Sequence, residues 1–504
     1  MKEIDCLFIH PSTHYRSKGP GLSDLVTFIT MPLGTIALAD LLDRHGYSTL
    51  IFHTGIEQMY DRSFNVADLF RRYDPSVVGI DLHWFVHSYD VIRIARVAKQ
   101  HSEAFVVLGG FTASYFAEEI LSQFRCVDAV IKGDAEIPLL ELMKRRPGGR
   151  LDEVPNLLYR DGDSIRSSGG TFIADEDALG QLNYSNFKLL SNYDRYHRAI
   201  NQSGDLDPYA WKIRLKRQAW VPLGRGCPVE CSYCGGGLNA HRLLTGRRGP
   251  IFHPKEQVVE TLARFEEERI DSTYMDFDPH PERRYYRELF EMIRKEKIDI
   301  STEFALWSPS DRAFIRDFAR TFNPLYSTLV LSPESGSEEV RRRNKGFYYD
   351  NEELFTWLGS AKQELVPTEI YFATGLSWET AESFEETIKL AEAILDNYPV
   401  VTMSCNPLVM EPASPRYLQP EKFGIKPKIR GFIDYYNMFW GLAEGLPIET
   451  QIGYETIWQT EAQIIENSVR FDKVIASAQP RRWKRLMDGE EVLHFKNCKS
   501  GGTQ

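Results

Sequence analysis

The sequence predicts an α/β protein: a Rossmann-like N-terminal domain, then a partial (β/α)6 barrel, then a small, mostly helical C-terminal cap. Apolar runs alternate with amphipathic stretches over the first ~145 residues and again from Ala219, as parallel strands joined by covering helices do. The third observation is the loss of this alternation near the C-terminus, where aromatic residues recur at helical spacing instead. The 504 residues allow two to four domains at ~150 residues each, every one large enough for its own core.

In the first domain, residues 1–145, strands are predicted at 5–10, 48–53, 77–82, 104–108 and 129–132. Between them, Ile36, Ala39 and Leu42 share a helix face that Gly46 stops, and Val91, Ile94, Ala95 and Ala98 share another. Ligands of such sheets sit at the carboxyl ends of the strands. The candidates there are Ser12 and Thr13 after the first strand, Gly109, Gly110, Phe111 and Thr112 after the fourth, and Gly133 and Asp134 after the fifth. Glycine at such ends lets the backbone approach a flat ligand closely. Residues 146–218 read as a connector packing on both neighbours, with turns at Gly148-Gly149, Asp161-Gly-Asp163 and Ser167-Ser-Gly-Gly170. Its basic stretch 212–217 reads as a solvated face.

The barrel, residues 219–415, carries predicted strands at 219–223, 272–277, 300–305, 326–331, 369–373 and 400–406. Phe384, Ile388, Ala391 and Leu395 repeat at helical spacing over 380–397 and are core. Barrel active sites form at carboxyl strand ends. Asp276 and Asp278 point to opposite faces of an extended strand, so at most one enters the barrel, and Asp276 is preferred. In the cap, 416–504, the spacing of Phe432, Tyr435, Tyr436, Phe439 and Trp440 predicts a buried helix face, with an aromatic wall over a substrate as the functional reading.

A net charge of −11 argues against a nucleic-acid surface as the main business of the molecule. No long apolar stretch follows Met1, so neither a signal peptide nor membrane insertion is expected. Seven cysteines are too few, and odd in number, for a disulfide framework. A cytoplasmic monomer is expected. Cys6, Cys126 and Cys405 read as core residues and Cys498 as a free thiol, and the basic run 480–485 reads as an anion contact or a solvated face.

Cys227, Cys231 and Cys234 stand in Arg225-Gly-Cys-Pro-Val-Glu-Cys-Ser-Tyr-Cys-Gly-Gly-Gly237, at the end of the first barrel strand. Three thiolates on one short loop can hold three irons of a cubane cluster and leave the fourth open for a redox cofactor. A structural zinc site is the alternative, with His241 as the nearest fourth ligand.

With Tyr233 before the last cysteine and glycines after it, this run resembles the cluster loop of the radical S-adenosylmethionine (SAM) enzymes. Met31-Pro-Leu-Gly34, opening the first helix, and Val107-Leu-Gly-Gly-Phe-Thr-Ala-Ser114 resemble the cobalamin-binding domain that precedes the barrel in one large subfamily. The resemblance implies a 4Fe-4S cluster on the three cysteines, SAM at its open iron and cobalamin on the first domain. It places SAM on Tyr233, Asp276, Glu334, Ser335, Ser337 and Gly375. Cobalamin contacts fall on Ser12, Thr13, Pro32, Leu33, His83, Gly109, Gly110, Phe111, Thr112, Gly133 and Asp134. The exit Met410-Glu-Pro-Ala-Ser-Pro-Arg-Tyr417 is similar too. One departure concerns the histidine motif D-x-H-x-x-G: the place after the first strand reads Pro11-Ser-Thr-His-Tyr15, and Asp81-Leu-His83-Trp-Phe-Val86 matches only in part. The lower cobalt face therefore stays undetermined.

The activity the resemblance implies is methyl transfer to an unactivated carbon of a small-molecule, natural-product or lipid substrate. A 5′-deoxyadenosyl radical would remove a hydrogen and methylcobalamin would deliver the methyl group. The cluster would take its electron from an external donor such as flavodoxin or ferredoxin. A rearrangement, cyclisation or ring contraction with the same cofactors is the first alternative, and a non-enzymatic corrinoid or electron-carrier protein the second. A methylthiotransferase would need a second cysteine set, which Cys6 and Cys126 cannot supply.

Overall fold

The computed structural model describes the chain except residues 1, 13, 16–25, 28–30, 147, 201–216, 280–282, 323–326, 399, 445–451 and 489–504. Thr13, Cys498 and most of the basic stretch before Gln218 lie outside the described residues. Contacts divide the chain into two units. The first joins Met1–Asp205, Leu238–Pro254 and Ile429–Gln451, and the second joins Leu206–Gly237, Lys255–Lys428 and Ile452–Gln504.

The first unit is a seven-stranded sheet of β1 (Lys2–His10), β2 (Thr49–His53), β3 (Tyr73–Asp81), β4 (Phe105–Gly109), β5 (Ala129–Ile131), β6 (Leu157–Asp161) and β7 (Ser164–Ser167). Their order is β2-β1-β3-β4-β5-β6-β7. The first five strands run parallel and match the five predicted runs. Cys6, Leu7 and Ile9 on β1 and Val77 and Val78 on β3 are fully enclosed, as strands covered on both faces must be. The cover includes α1 (Leu33–Arg44), α2 (Ser88–His101), α3 (Phe111–Tyr115) and α4 (Glu136–Arg145). From β1 the chain steps outward to β2 and then crosses back to β3. The sheet thus reverses direction between β1 and β3, and that reversal opens a crevice at the strand ends.

The segment 146–218, read as a connector with short apolar strands, extends the first unit's sheet. It adds β6 and β7, both antiparallel, to the first unit's sheet. The turn at Gly162, with φ +61°, folds the chain back, and Leu157, Leu158 and Tyr159, paired with β5, are buried. Farther on, Ala174, Leu179, Leu182 and Tyr184 form a core cluster with Ala37 of α1. The helix Phe432–Ala443 also belongs to this unit. Its Phe432 ring sits 5.8 Å from Phe116 and 5.7 Å from Phe124, and Tyr435 sits 5.3 Å from Phe85. Phe432, Tyr435 and Phe439 thus form the buried face the spacing predicts, whereas Tyr436 is half-buried and Trp440 of the same set is exposed.

The second unit is a six-stranded parallel sheet, β8 (Gln218–Pro222), β9 (Ser272–Asp276), β10 (Ser301–Leu306), β11 (Thr328–Glu334), β12 (Thr368–Thr374) and β13 (Val400–Pro407). Spatial order equals chain order, the arrangement of an open barrel. Its helices include α5 (Glu338–Asn344), α6 (Asn351–Gln363), α7 (Ala381–Asn397) and α8 (Glu461–Asp488). Thr380 opens α7 with a capping box to Ser383, and Phe384, Ile388, Ala391 and Leu395 are buried beneath it. The cap is not wholly helical. Strands β14 (Ile425–Pro427) and β15 (Tyr454–Thr456) pair antiparallel over a small core that includes Met410 and Ile464. Among the described residues, no helix is long and apolar enough to cross a membrane.

Candidate functional site

The loop after β8 holds Cys227, Cys231 and Cys234 half-buried and as free thiols. Two distant segments strap it. From one side, the Ser232 N–H donates to the Asn344 carbonyl at 2.8 Å and the two side chains also bond. From the other, the Arg416 N–H donates to the Ser232 carbonyl at 2.9 Å, and the Gly235 N–H donates to the Glu411 carboxylate at 2.6 Å. Backbone N–H groups also reach the sulfurs, Gly346 to Cys231 Sγ at 3.2 Å and Gly236 to Cys234 Sγ at 3.3 Å. Burial pushes the Cys227 thiol up to about 11 and raises Cys231 and Cys234 too. Iron binding here would therefore displace protons. Three thiols with inward N–H donors suit three corners of a cubane cluster. His241, the zinc alternative's fourth ligand, packs instead on Phe111 in the first unit, with ring centroids 4.9 Å apart.

One glycine in the loop is tightly constrained. A Cβ on Gly235 would lie 2.3 Å from the Pro412 carbonyl oxygen, a backbone atom that cannot swing aside. Gly235→Ala is expected to weaken iron retention on the order of 10–100-fold, as loss of a supporting contact at a metal site does. Iron and sulfide per chain after anaerobic reconstitution check this, with unchanged circular dichroism as the control.

At the end of β11 the backbone turns sharply. A register shift falls between Leu331 and Glu334, Glu334 has φ +65°, and the Ser335 N–H donates back to the Pro333 carbonyl at 2.8 Å. A non-glycine residue in this region costs about 1–3 kcal/mol and persists only where its surroundings force it. Arg341 does the forcing. Fully buried, it donates to the carbonyls of Pro333 at 3.2 Å, Ser335 at 2.6 Å and Tyr349 at 3.0 Å, and to Asn351 Oδ1 at 2.7 Å. Glu334 is thereby brought to Lys345, with Nζ to Oε1 at 3.1 Å, and its carboxylate also accepts from the Tyr233 hydroxyl. Lys345 lies close enough to Cys231 to act on its thiol electrostatically.

The remaining SAM candidates separate by environment. Ser335 and Ser337 are buried; the Ser337 N–H donates to Ser335 Oγ at 3.2 Å, and Ser335 Oγ lies 3.4 Å from Thr387 Oγ1 on α7. Gly375, with φ +84°, donates its N–H to Glu379 at 2.8 Å, and its carbonyl accepts from the Tyr454 hydroxyl at 2.7 Å and from Arg416 at 3.2 Å. Asp278 is buried and accepts from the Trp307 N–H at 3.0 Å, whereas Asp276 is exposed at the end of β9.

Burial raises Glu379 from an ordinary 4.5 to about 7, against the opposing hydrogen bonds from Gly375 and Thr374. The folded protein thus holds a proton that the unfolded chain releases. This contribution to stability is complete below pH 4.5 and is lost as pH rises through about 7. Glu379→Gln is expected to flatten the pH dependence of the denaturation midpoint across that window; an unchanged slope would count against it.

Sequence reasoning assigned no role to Lys345, Glu379, Glu411 or Arg416, although Glu411 and Arg416 lie within the exit 410–417 that it singled out. It also missed the polar residues Tyr274, Glu303, Glu369 and Tyr371 of the sheet, where Tyr371 donates to Glu369 at 2.8 Å and Gln218 to Glu303 at 3.3 Å.

In the first unit the candidates lie at or just beyond the carboxyl ends of the strands. Leu33, Gly109, Gly110 and Phe111 are half-exposed and His83 is exposed. A Cβ on Gly34 or Gly109 would meet nothing within 4 Å, so open space faces both backbones, as a flat ligand requires. Pro32 is buried as the cap of α1, and Thr112 bonds the His83 carbonyl. Ser12, buried, donates its N–H to Thr54 at 3.1 Å. Gly133 backs onto Leu244 and Thr245. Asp134 is occupied structurally: buried, it pairs with Arg247 at 2.5 Å and accepts from the Ala174 N–H. At the carboxyl ends of β1 and β3, His10 and Asp81 meet. His10 Nδ1 is 3.0 Å from Asp81 Oδ2; burial alone would raise this carboxyl, but the bond and charge of His10 bring it to about 2.

Comparison with known proteins adds to this geometry. Residues 221–391 match the Radical SAM superfamily and residues 22–143 the B12 binding domain. An uncharacterized methyltransferase of Pyrococcus horikoshii is 24% identical over 424 residues, covering 80% of this chain and 81% of that protein. The hopanoid C-3 methylase of Methylococcus capsulatus is 29% identical over 247 residues, which cover 47% of this chain and 41% of the methylase. Among solved structures, the radical SAM methyltransferase TsrM of Kitasatospora setae, with cobalamin and a [4Fe-4S] cluster bound, aligns with a TM-score of 0.68 and 13% identity. That match covers 94% of this chain and 91% of TsrM.

Proposed function

Since this chain belongs to the cobalamin-dependent radical SAM enzymes, we propose that it methylates an unactivated carbon of a small-molecule substrate. The observation that carries the reading is the strapped three-cysteine loop beside Glu334 and Lys345. When bound, the cluster, SAM and cobalamin supply the electron, the hydrogen-abstracting radical and the methyl group. Cys227, Cys231 and Cys234 would hold the cluster and leave it open to SAM. Glu334 offers its carboxylate to the SAM amino group or ribose, and Tyr233 and Lys345 fix where that carboxylate stands. Asp276, exposed at a strand end, gives the substrate or SAM a second acceptor. Holding the reacting groups in a fixed frame lowers the entropy cost of bringing them together. The chain works as a cytoplasmic monomer and takes electrons from a flavodoxin or ferredoxin.

The test is anaerobic reconstitution with iron, sulfide and cobalamin, followed by SAM carrying an isotope-labelled methyl group. Formation of 5′-deoxyadenosine together with transfer of label to the bound corrin supports the reading. A labelled corrin with products that never carry the label favours a rearrangement instead. Inert SAM in the presence of an intact reduced cluster refutes the reading.

A further inference from the structure

Asn344, which straps Ser232 of the cysteine loop, also reaches in a second direction, where its side-chain N–H donates to the Ser377 carbonyl at 2.9 Å. The next residues on either side, Arg343 and Trp378, are stacked, with the guanidinium 5.3 Å from the ring centre. Trp378 in turn stands 5.8 Å from the Phe423 ring and 5.9 Å from the Trp458 ring, and Lys422 Nζ lies 5.5 Å from the centre of Phe423. Gly424, with φ +63°, comes so close that a Cβ there would lie 2.6 Å from the Trp458 ring. Arg343 and Lys422 are exposed, Trp378 and Trp458 are half-buried, and Ile457 beside them is 60% exposed. Trp378 itself has φ +63°. A bulky residue holds that conformation only where its surroundings impose it, and such residues concentrate at functional sites.

The charges around these rings lean one way. Arg342 and Arg343 share the one carboxylate of Glu339, and Lys422 and Lys426 stand against Glu421. Cations are thus in excess here, on a chain whose net charge is −11. An acidic partner meets net repulsion from the chain as a whole and attraction where cations lead, which steers it to this place. Trp and Arg are also enriched at protein interfaces, and encounters between redox proteins are among the smallest of these. We propose that the patch of Arg343, Trp378, Trp458 and Lys422 receives a small acidic electron-carrier protein, which delivers its electron to the cysteine loop that Asn344 ties to this patch. The proposal rests on the reading above, that the loop holds a cluster reduced from outside. In the transfer one electron leaves the carrier's reduced flavin, which becomes the semiquinone, and enters the oxidised cluster; no bond is made or broken.

The test uses the full chain with its cluster reconstituted anaerobically, mixed with flavodoxin hydroquinone while the cluster absorbance is followed. Reduction should slow as salt is added, and Arg343→Glu and Lys422→Glu should each slow it by about tenfold at low salt, within the range that steering covers. Both changes should also weaken the binding of oxidised flavodoxin, read by calorimetry. Reduction by photogenerated deazaflavin radical, which is small and uncharged, should keep its wild-type rate in both variants. The proposal is overturned if flavodoxin reduces both variants as fast as wild type, or if deazaflavin reduction slows by the same factor. A dimer that Arg343→Glu dissociates, with flavodoxin reduction unchanged, assigns the patch to a second copy and overturns it too. A wild-type cluster that deazaflavin reduces and flavodoxin does not sinks this proposal alone, whereas a cluster that neither reduces fails at the reading beneath it.

Discussion

Replacing Cys231 by alanine is expected to strip the iron from the protein and lower 5′-deoxyadenosine formation by more than about a thousandfold. Each tenfold loss in rate corresponds to ~1.4 kcal/mol of barrier, and no adjustment nearby can restore an electron route once the cluster is gone. Cys231 is the most informative of the three because its sulfur accepts the Gly346 N–H and lies within electrostatic reach of Lys345. The same change removes a sulfur that the Tyr233 hydroxyl also contacts, so the Glu334 side of the site should loosen with it. Iron per chain, the visible spectrum and product formation provide the check. Wild-type iron content in the variant would mean that this cysteine is not a ligand.

The second large effect is expected from Arg341→Ala. The substitution leaves the carbonyls of Pro333, Ser335 and Tyr349 without this donor inside the protein. An unmet buried polar group costs about 1–3 kcal/mol, and the emptied volume adds more. A total loss of roughly 3–5 kcal/mol is expected in chemical denaturation. The Glu334 backbone should then relax from its positive φ, so SAM affinity, read by calorimetry on the folded variant, should fall as well. Arg341→Lys should rescue little, since an ammonium cannot span acceptors that a flat guanidinium reaches at once. Stability equal to wild type would show that the turn holds without the arginine.

Much of the fold was legible because parallel strands buried on both faces are continuous apolar runs. The run 5–10 lies within Lys2–His10, and the run 400–406 within Val400–Pro407. Strands β6 and β7 were not read as part of the sheet, because an antiparallel hairpin shows its turn but not the distant strand it joins. The three cysteines stand out in the sequence because their type and short spacing are what cluster chemistry demands. Asn344, Glu411 and Arg416 do not, although they hold the same loop. Their bonds link residues 112 to 184 positions apart in the sequence, and a contact at that range leaves no periodic trace. The aspartates of the second barrel strand fall between these cases: alternation said that one at most faces inward, but only the Asp278 bond to Trp307 singles out the structural member.

The two straps on the cysteine loop bear on how the protein comes to be loaded. One anchor follows the fourth barrel strand and the other follows the sixth, so the cysteine loop has both straps only once the chain extends past Arg416. A half-made chain offers its thiols loose and unguarded, whereas the finished one presents them fixed and facing inward. Cluster loading is thus expected of the completed polypeptide, and a truncation that deletes the second anchor is expected to leave a protein that retains less iron on reconstitution.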